Sequence, residues 1–576
     1  MFDSKKKSLF VNEVSASAPS NSTSRIKLSD NPFIRADLQE TAVTTSLGNG
    51  ARKLITTGSS FVDQFAKATN YRAPRSFDEI STDMSLLWSQ DPEYALKLTF
   101  YFRMITRVTC LPDGSKTSTT QRGQGLKHEG IFRMIWIAIN HPETFWKNLP
   151  MFISVGSWKD IITMLSYDLQ YNGWEGRVLD WDNFGKIIFA GLENPGTCNL
   201  VKKYLPQIKS KSKCKTVEAQ ADTMIAKWIC SLIFGNKGEE SLTYYKYRKL
   251  KTSGSAHTWQ QLISQQRFLE INFDTIAGRA LAQLVSSKFL SNNGLEHKYE
   301  EWISSKPIAK YTGYVYELLA PVKDGYHNNY LKKYQIDTIN KQFYGLIETA
   351  ANGMKTDSSL IVVVDTSSSM TGTVPGTKVS AYDVAKSMAL YFSYLLKGVF
   401  NKSWMEFADT CKMKYWYGET PVENLQNDKS EAYGSTNFQS VGKTFGNILQ
   451  SGVPESEFPT GILCVSDGCF NSNWGNILQS NFKGLLDNLR KAGFSKEYVD
   501  NFKVILWDIP NNYYGPKSQT AFEEFADCPN LYHMSGLDGS SIAFIMGTDY
   551  NPRVPKNSAE LFEAAMSQEI LNMLEI

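Results

Sequence analysis

Histidine is scarce in this chain: six residues in 576, at positions 128, 141, 257, 297, 327 and 533, with no spacing that would bring two to one metal ion. The eight cysteines are scattered without a C-x-x-C pair, which removes zinc-ribbon and finger architectures and gives no disulfide framework. No apolar run approaches the roughly eighteen residues of a membrane helix. The opening stretch, "MFDSKKKSLFVNEVSASAPSNSTSRIKLSD", has basic residues but no long apolar segment after them, so it reads as a polar tail rather than a secretory signal. There is no G-x-x-x-x-G-K-[ST], no H-E-x-x-H and no G-x-S-x-G, and no paired acid and base stands out. The expectation is a non-enzyme in a reducing, intracellular setting, with no membrane partner.

What is present is a globular composition, 42% hydrophobic and 21% charged, in a chain too long for one core. A net charge of +3 hides an asymmetry: from Thr356 onward there are 16 Lys+Arg against 25 Asp+Glu, and before it 45 against 33. Two grammars divide at the same place. Earlier segments such as "PEYALKLTFYFRMITRV", "GIFRMIWIAINH" and "SWKDIITMLSYDL" repeat apolar residues at helical spacing, with helix starts at Asp91 and Ser157. Later, apolar runs alternate with helical stretches: "LIVVV", "SWMEFA", "MKYWYG", "GILCVS", "NFKVILWDIP" and "LYHMSG" read as strands. The predicted fold class is therefore multidomain. An α-helical, HEAT-like repeat part precedes an α/β doubly wound domain with a mostly parallel sheet. The expected boundaries are a polar tail over 1–38, helices over 39–355, the α/β domain over 356–548, and an extension with an amphipathic helix over 549–576.

In "LIVVVDTSSSM" a buried strand runs into Asp365, Ser367 and Ser369, three oxygen-bearing side chains at alternate positions. In doubly wound sheets ligands sit at the carboxyl ends of strands. "GSTN" offers Thr436 and "LCVSDG" offers Asp467 from two further loops. Five oxygen side chains suit a hard cation, Mg²⁺ first with Mn²⁺ or Ca²⁺ as alternatives, and disfavour zinc. Only two of the five are charged, which leaves an open position for an acidic ligand. The bland alternative for D-T-S-S-S alone is a capped turn. The D-x-S-x-S, T and S-D-G set resembles the von Willebrand factor A domain with its metal-ion-dependent adhesion site. That resemblance implies metal ligation by Asp365, Ser367, Ser369, Thr436 and Asp467.

A helical part that is basic, followed by such a domain, resembles the Ro/TROVE proteins and their uncharacterised plant, fungal and viral relatives. The residues behind this are "DPEYALKLTFYFRMITR" and "QRGQGLKHEGIFRMIWIAINHPETFWKNLPMFISVGSWKDIITML", then "GSTNFQSVGKTFGNIL" and "SDGCFN". The resemblance implies a ring of helical repeats whose basic surface binds structured RNA or its single-stranded ends. Candidate RNA contacts are Arg103, Arg107, Arg122, Lys127 and Arg133 around the glycine loop, and Lys209, Lys211 and Lys213 in a lysine run free of acids. Solvated loop lysines are the bland reading of that run. The expected function is an RNA-binding, Ro-like protein with a cation site for an acidic ligand. The competing expectation is a metal-dependent assembly scaffold, or a structural component of a larger, viral particle, without RNA.

Overall fold

Helices in the first half end where a neighbouring segment can take their last carbonyls, and this shapes everything around the glycine loop. In the computed structural model the described residues are 44–46, 52–54, 59–66, 75–235, 240–253, 259–323, 331–351, 359–375, 377–467, 479–509, 530–535 and 558–576. The expected tail over 1–38 lies outside them. Nine helices of residues 75–253 matter below: α1 (Phe77–Gln90), α2 (Pro92–Arg103), α3 (Lys127–Asn140), α4 (Pro142–Val155), α5 (Trp158–Asn172), α6 (Trp181–Glu193), α7 (Cys198–Tyr204), α8 (Val217–Phe234) and α9 (Glu240–Thr252). Asp91 caps α2 by accepting from the Glu93 and Tyr94 amides, and Ser157 closes a capping box with Asp160 on α5, so both expected starts are observed.

The periodicity through "RMITRV" predicts a longer helix than α2, which stops at Arg103. The chain instead returns on itself: Gln124 N donates to Tyr101 O (3.0 Å), Leu126 N to Phe102 O (2.6 Å) and Gly125 N to Met104 O (2.7 Å). These amides satisfy carbonyls that a helix end leaves open. A Cβ on Gly123 would stand 2.5 Å from Met104 Cβ and 2.6 Å from Tyr101 O, so the glycine is required by close approach. Two further anchors come from the C-terminal residues. The Gln568 amide pairs with the Arg122 backbone in both directions (2.6 and 2.9 Å), and Glu569 accepts from Ser118 N and Oγ (2.9 and 2.7 Å).

The chain forms two compact units, one containing 74–257 with 566–576, the other containing 258–565. The helices from 259 to 351 thus share a unit with the sheet, rather than with the helices before them. Those used here are α10 (Gly278–Ser286), α11 (Glu296–Ser304), α12 (Val315–Lys323) and α13 (Lys333–Ala351). Asn340 of α13 accepts from the Val422 amide (3.1 Å), and Phe343 meets Tyr394 edge-on at 5.3 Å.

The sheet has six strands: β1 (Leu360–Asp365), β2 (Ser403–Phe407), β3 (Cys411–Tyr415), β4 (Gly461–Ser466), β5 (Lys503–Asp508) and β6 (Leu531–Ser535). Their order is β3-β2-β1-β4-β5-β6, parallel except for the β2–β3 hairpin. Every residue of β1 and β4 is buried, which is why both sequences are unbroken apolar runs rather than alternating ones. Ile361, Val363, Ile462 and Cys464 face a core completed by Phe445 of α14 (Ser440–Gln450) and Leu485 and Leu489 of α15 (Gln479–Ala492). Strand order reverses at β1, with β2 on one side and β4 on the other. This is the switch point at which the loops diverge and leave a crevice. No helix among the described residues is long and apolar enough to cross a membrane.

Gly123→Ala is expected to destabilise the protein by about 1–3 kcal/mol through overpacking, read as a lower denaturation midpoint in urea.

Candidate metal centre and basic surface

Asp365 ends β1 with its carboxylate wholly buried. Its Oδ1 accepts from the Ser367 amide (2.8 Å) and its Oδ2 from the Ser466 hydroxyl (2.6 Å). Ser466 closes β4, so Asp467 follows on the neighbouring tip, and it too is buried. Burial pushes the Asp365 carboxyl up to about 7, and the nearby Asp467 carboxylate adds to the rise, against hydrogen bonds from Ser466 and Ser367. The Ser367 and Ser369 hydroxyls stand 3.0 Å apart, both side chains buried. Thr436 arrives on a loop stitched to the same segment. Tyr433 N donates to Thr366 O (2.5 Å), and Ser368 N to Gly434 O (3.4 Å). Thr436 itself is buried, two residues beyond Gly434 in its left-handed conformation (φ +89°).

The base of that loop is equally fixed. Asn437 N donates to Ala408 O (2.7 Å), and Ser435 bonds the Asp409 carboxylate through its hydroxyl. All five oxygen side chains named from the sequence therefore sit, buried, at one end of the sheet's centre. This donor set fits a hard cation: two carboxylates in a low-dielectric site with three hydroxyl-bearing residues and no nitrogen or sulfur. Residues the sequence reading passed over are Ser466, which fixes the Asp365 carboxyl, and Asp508, a third buried acid that ends β5 in register with Ser466. The signal for Asp508 was present, since "ILWD" repeats the pattern of an apolar strand closed by an acid.

The candidate RNA contacts fare differently. Arg103 is buried and gives two bonds to Asp160 (Nε 2.9 Å, Nη2 2.6 Å). Arg133 is wholly buried, bonded to Glu129 at 2.8 Å and lying over the Phe102 ring at 4.9 Å. Arg107 donates to Ser154 O and Val155 O (2.8 and 3.3 Å), capping the end of α4. Arg103 and Arg133, expected as surface contacts, are instead buried against acids of the fold, while Arg107 is half-buried with one nitrogen spent on the carbonyls that end α4. Arg122 is half-buried on the pinned loop, and the Lys211 side chain lies outside the described residues.

Lys127, Lys209 and Lys213 remain accessible. The structure adds exposed Lys159 beside them, which the sequence reading missed. Burial lowers the Lys127 ammonium, Asp160 raises it, and the charges of Lys159 and Arg103 lower it further. Asp222 is raised by burial and pulled down by Lys209, Lys159 and Lys251 around it, with Lys209 at 3.9 Å. The lysine run and the α5 N-terminus thus meet around one acid, a relation invisible in one dimension. His128 is half-buried between Tyr167 (3.2 Å) and Arg75 O (2.9 Å), a packing role.

Residues 48–178 match the family described as "Domain of unknown function (DUF2828)", less than a quarter of the chain. That span contains the returning glycine loop and both buried arginine pairs. A crystal structure of the Deinococcus radiodurans RO (RSR) protein aligns with 77% of this chain and 88% of its own, at 12% identity and a TM-score of 0.37. A likeness of that size carries no argument about function. No curated protein matches the chain.

Removing one partner of a buried ion pair leaves the other charge stranded. Asp160→Ala is expected to cost about 3–5 kcal/mol in urea unfolding. Lys213→Ala, exposed at the end of a single 3-10 turn, should stay within about 0.5 kcal/mol of the parent.

Proposed function

We propose that the sheet-bearing unit is a divalent-cation-dependent binding module of von Willebrand factor A type, which captures a carboxylate of a protein partner and catalyses nothing. The observation that supports this best is the burial of Asp365 and Asp467 together at the switch point among Ser367, Ser369 and Thr436. The Asp467 carboxylate opposes ionisation of Asp365, and a divalent ion would remove the conflict. Mg²⁺ takes about six oxygens. Five side chains leave a position that a partner's Asp or Glu would fill, which gives a metal-dependent assembly contact.

The pH dependence follows in sign. Without metal, the folded carboxyl of Asp365 is raised from 3.8 to about 7, so its contribution to stability is present at low pH and is lost as pH rises through that window. A bound cation reverses this, because it requires the ionised form. Titration with Mn²⁺ followed by electron paramagnetic resonance should show one site whose affinity falls as pH drops below about 7, by up to about tenfold per unit. Asp365→Ala and Thr436→Ala should each abolish or strongly weaken it. Unaltered Mn²⁺ binding in Asp365→Ala would refute the metal reading.

A second reading concerns the other unit, where the meeting of Lys127, Lys159 and Lys209 favours a polyanion surface for single-stranded RNA. Each single-strand phosphate contact contributes about 0.7 to the slope of log affinity against log salt. The triple variant Lys159→Glu, Lys209→Glu, Lys213→Glu should weaken RNA binding across sequences and flatten that slope by about 2. A parent protein that retains no RNA at low salt eliminates this reading and leaves the metal-dependent scaffold.

A further inference from the structure

Tyr433 is exposed over 58% of its surface, although the backbone on both sides of it is fixed. Its amide is bonded to Thr366 O, the carbonyl between Asp365 and Ser367, and Gly434 O receives the Ser368 amide. Thr366 is itself held, since its amide and hydroxyl both donate to Phe407 O (2.9 and 3.1 Å). Before Tyr433, the loop is tied down by a buried ion pair between Lys386 and Asp428 and by Ser430 on Asp428 (2.8 Å). After it, Ser435 and Asn437 are bonded to Asp409 and Ala408. The ring makes no hydrogen bond or ring contact among the described residues. A large aromatic presented to water on an immobilised loop is the residue type and setting of an interaction hot spot, because the ordering cost of its backbone has been met before binding. Acidic charge outweighs basic beside it: Glu431 and Asp409 are exposed on the same pair of loops, against one exposed lysine, Lys429.

We infer that Tyr433 is a specificity-determining residue of the cation site, selecting a partner carboxylate flanked by a basic side chain that lies on the Tyr433 ring. This rests on the metal reading above. The cation would take the carboxylate, and the ring face with its acidic neighbours would take the adjoining ammonium or guanidinium. A cation over an exposed aromatic face is worth roughly a two- to fivefold change in affinity.

The test uses the full chain with Mg²⁺ and three blocked tetrapeptides read by calorimetry: acetyl-Gly-Asp-Arg-Gly-amide, acetyl-Gly-Asp-Gly-Gly-amide and acetyl-Gly-Asn-Arg-Gly-amide. The first should bind about two to five times more tightly than the second, and the third not at all. Tyr433→Ala should erase the advantage of the first over the second while Mn²⁺ binding is unchanged, and Tyr433→Phe should keep it. Equal binding of the first two peptides, or an advantage that survives in Tyr433→Ala, overturns the role of Tyr433 and leaves the metal reading standing. Mn²⁺ bound without either aspartyl peptide overturns the role of Tyr433 and the carboxylate-binding reading together. Absence of Mn²⁺ binding in the parent overturns the metal reading itself.

Discussion

Two carboxylates buried side by side at the centre of a sheet are the constraint on which the second unit turns. Asp365 and Asp467 close the two central strands, β1 and β4, and neither is screened by solvent. In a low-dielectric setting, like charges this close oppose each other far more strongly than they would in water. Hydrogen bonds from Ser466 and the Ser367 amide offset part of the cost at Asp365, yet its carboxyl remains raised. A strand tip with no task would carry a serine or glycine there at no such penalty. On the proposed metal reading, a positive charge between the loops would offset that cost.

The other buried charges of this chain sharpen that contrast. Arg103 is matched by Asp160 and Arg133 by Glu129, and in the second unit Lys386 is matched by Asp428. Each is neutralised by a partner from the chain itself, the ordinary condition for an ion inside a protein. By that standard Asp365 stands apart, because the charge of Asp467 that faces it has the same sign and raises its carboxyl. The same logic moves the arginines out of the candidate interface. A guanidinium inside a helical layer is spent on the fold, and only lysines outside it remain for a polyanion.

Legibility followed how local each feature is. Asp365, Ser367 and Ser369 lie within five residues, so their grouping could be read directly, and the sheet alternation showed which loops would bring Thr436 and Asp467. The strand hairpin of "SWMEFA" and "MKYWYG" was legible for the same reason. Arg103 and Arg133 were misread because a basic residue looks alike in sequence whether it meets water or an acid in the core. For Arg103 the deciding partner lies 57 positions away. The glycine loop invited a nucleic-acid reading, whereas Gly123 is set by contact with Met104 and Tyr101, and Arg122 is held by Gln568 from the far end of the chain. The unit boundary was hidden too, because the helices of 259–351 carry the same periodicity as those before them while packing with the sheet.

Rigidity and exposure together explain why the loop around Tyr433 is built as it is. A cation centre needs its hydroxyl and carboxylate oxygens held to within a fraction of an ångström, so the loop bearing Thr436 must be pinned at several points. The bonds from Tyr433 and Ser435 and the pairing at Asp428 supply that pinning. With the backbone fixed, a side chain on the outer face of the loop has only its own rotamer freedom left to lose. An aromatic in that position, with two side-chain torsions, therefore offers a partner a large contact area at a small entropic cost on this side of the interface. Metal geometry and partner choice then become consequences of one set of backbone hydrogen bonds, so a change that loosens the loop should weaken both, whereas a change confined to the Tyr433 ring should weaken only the second.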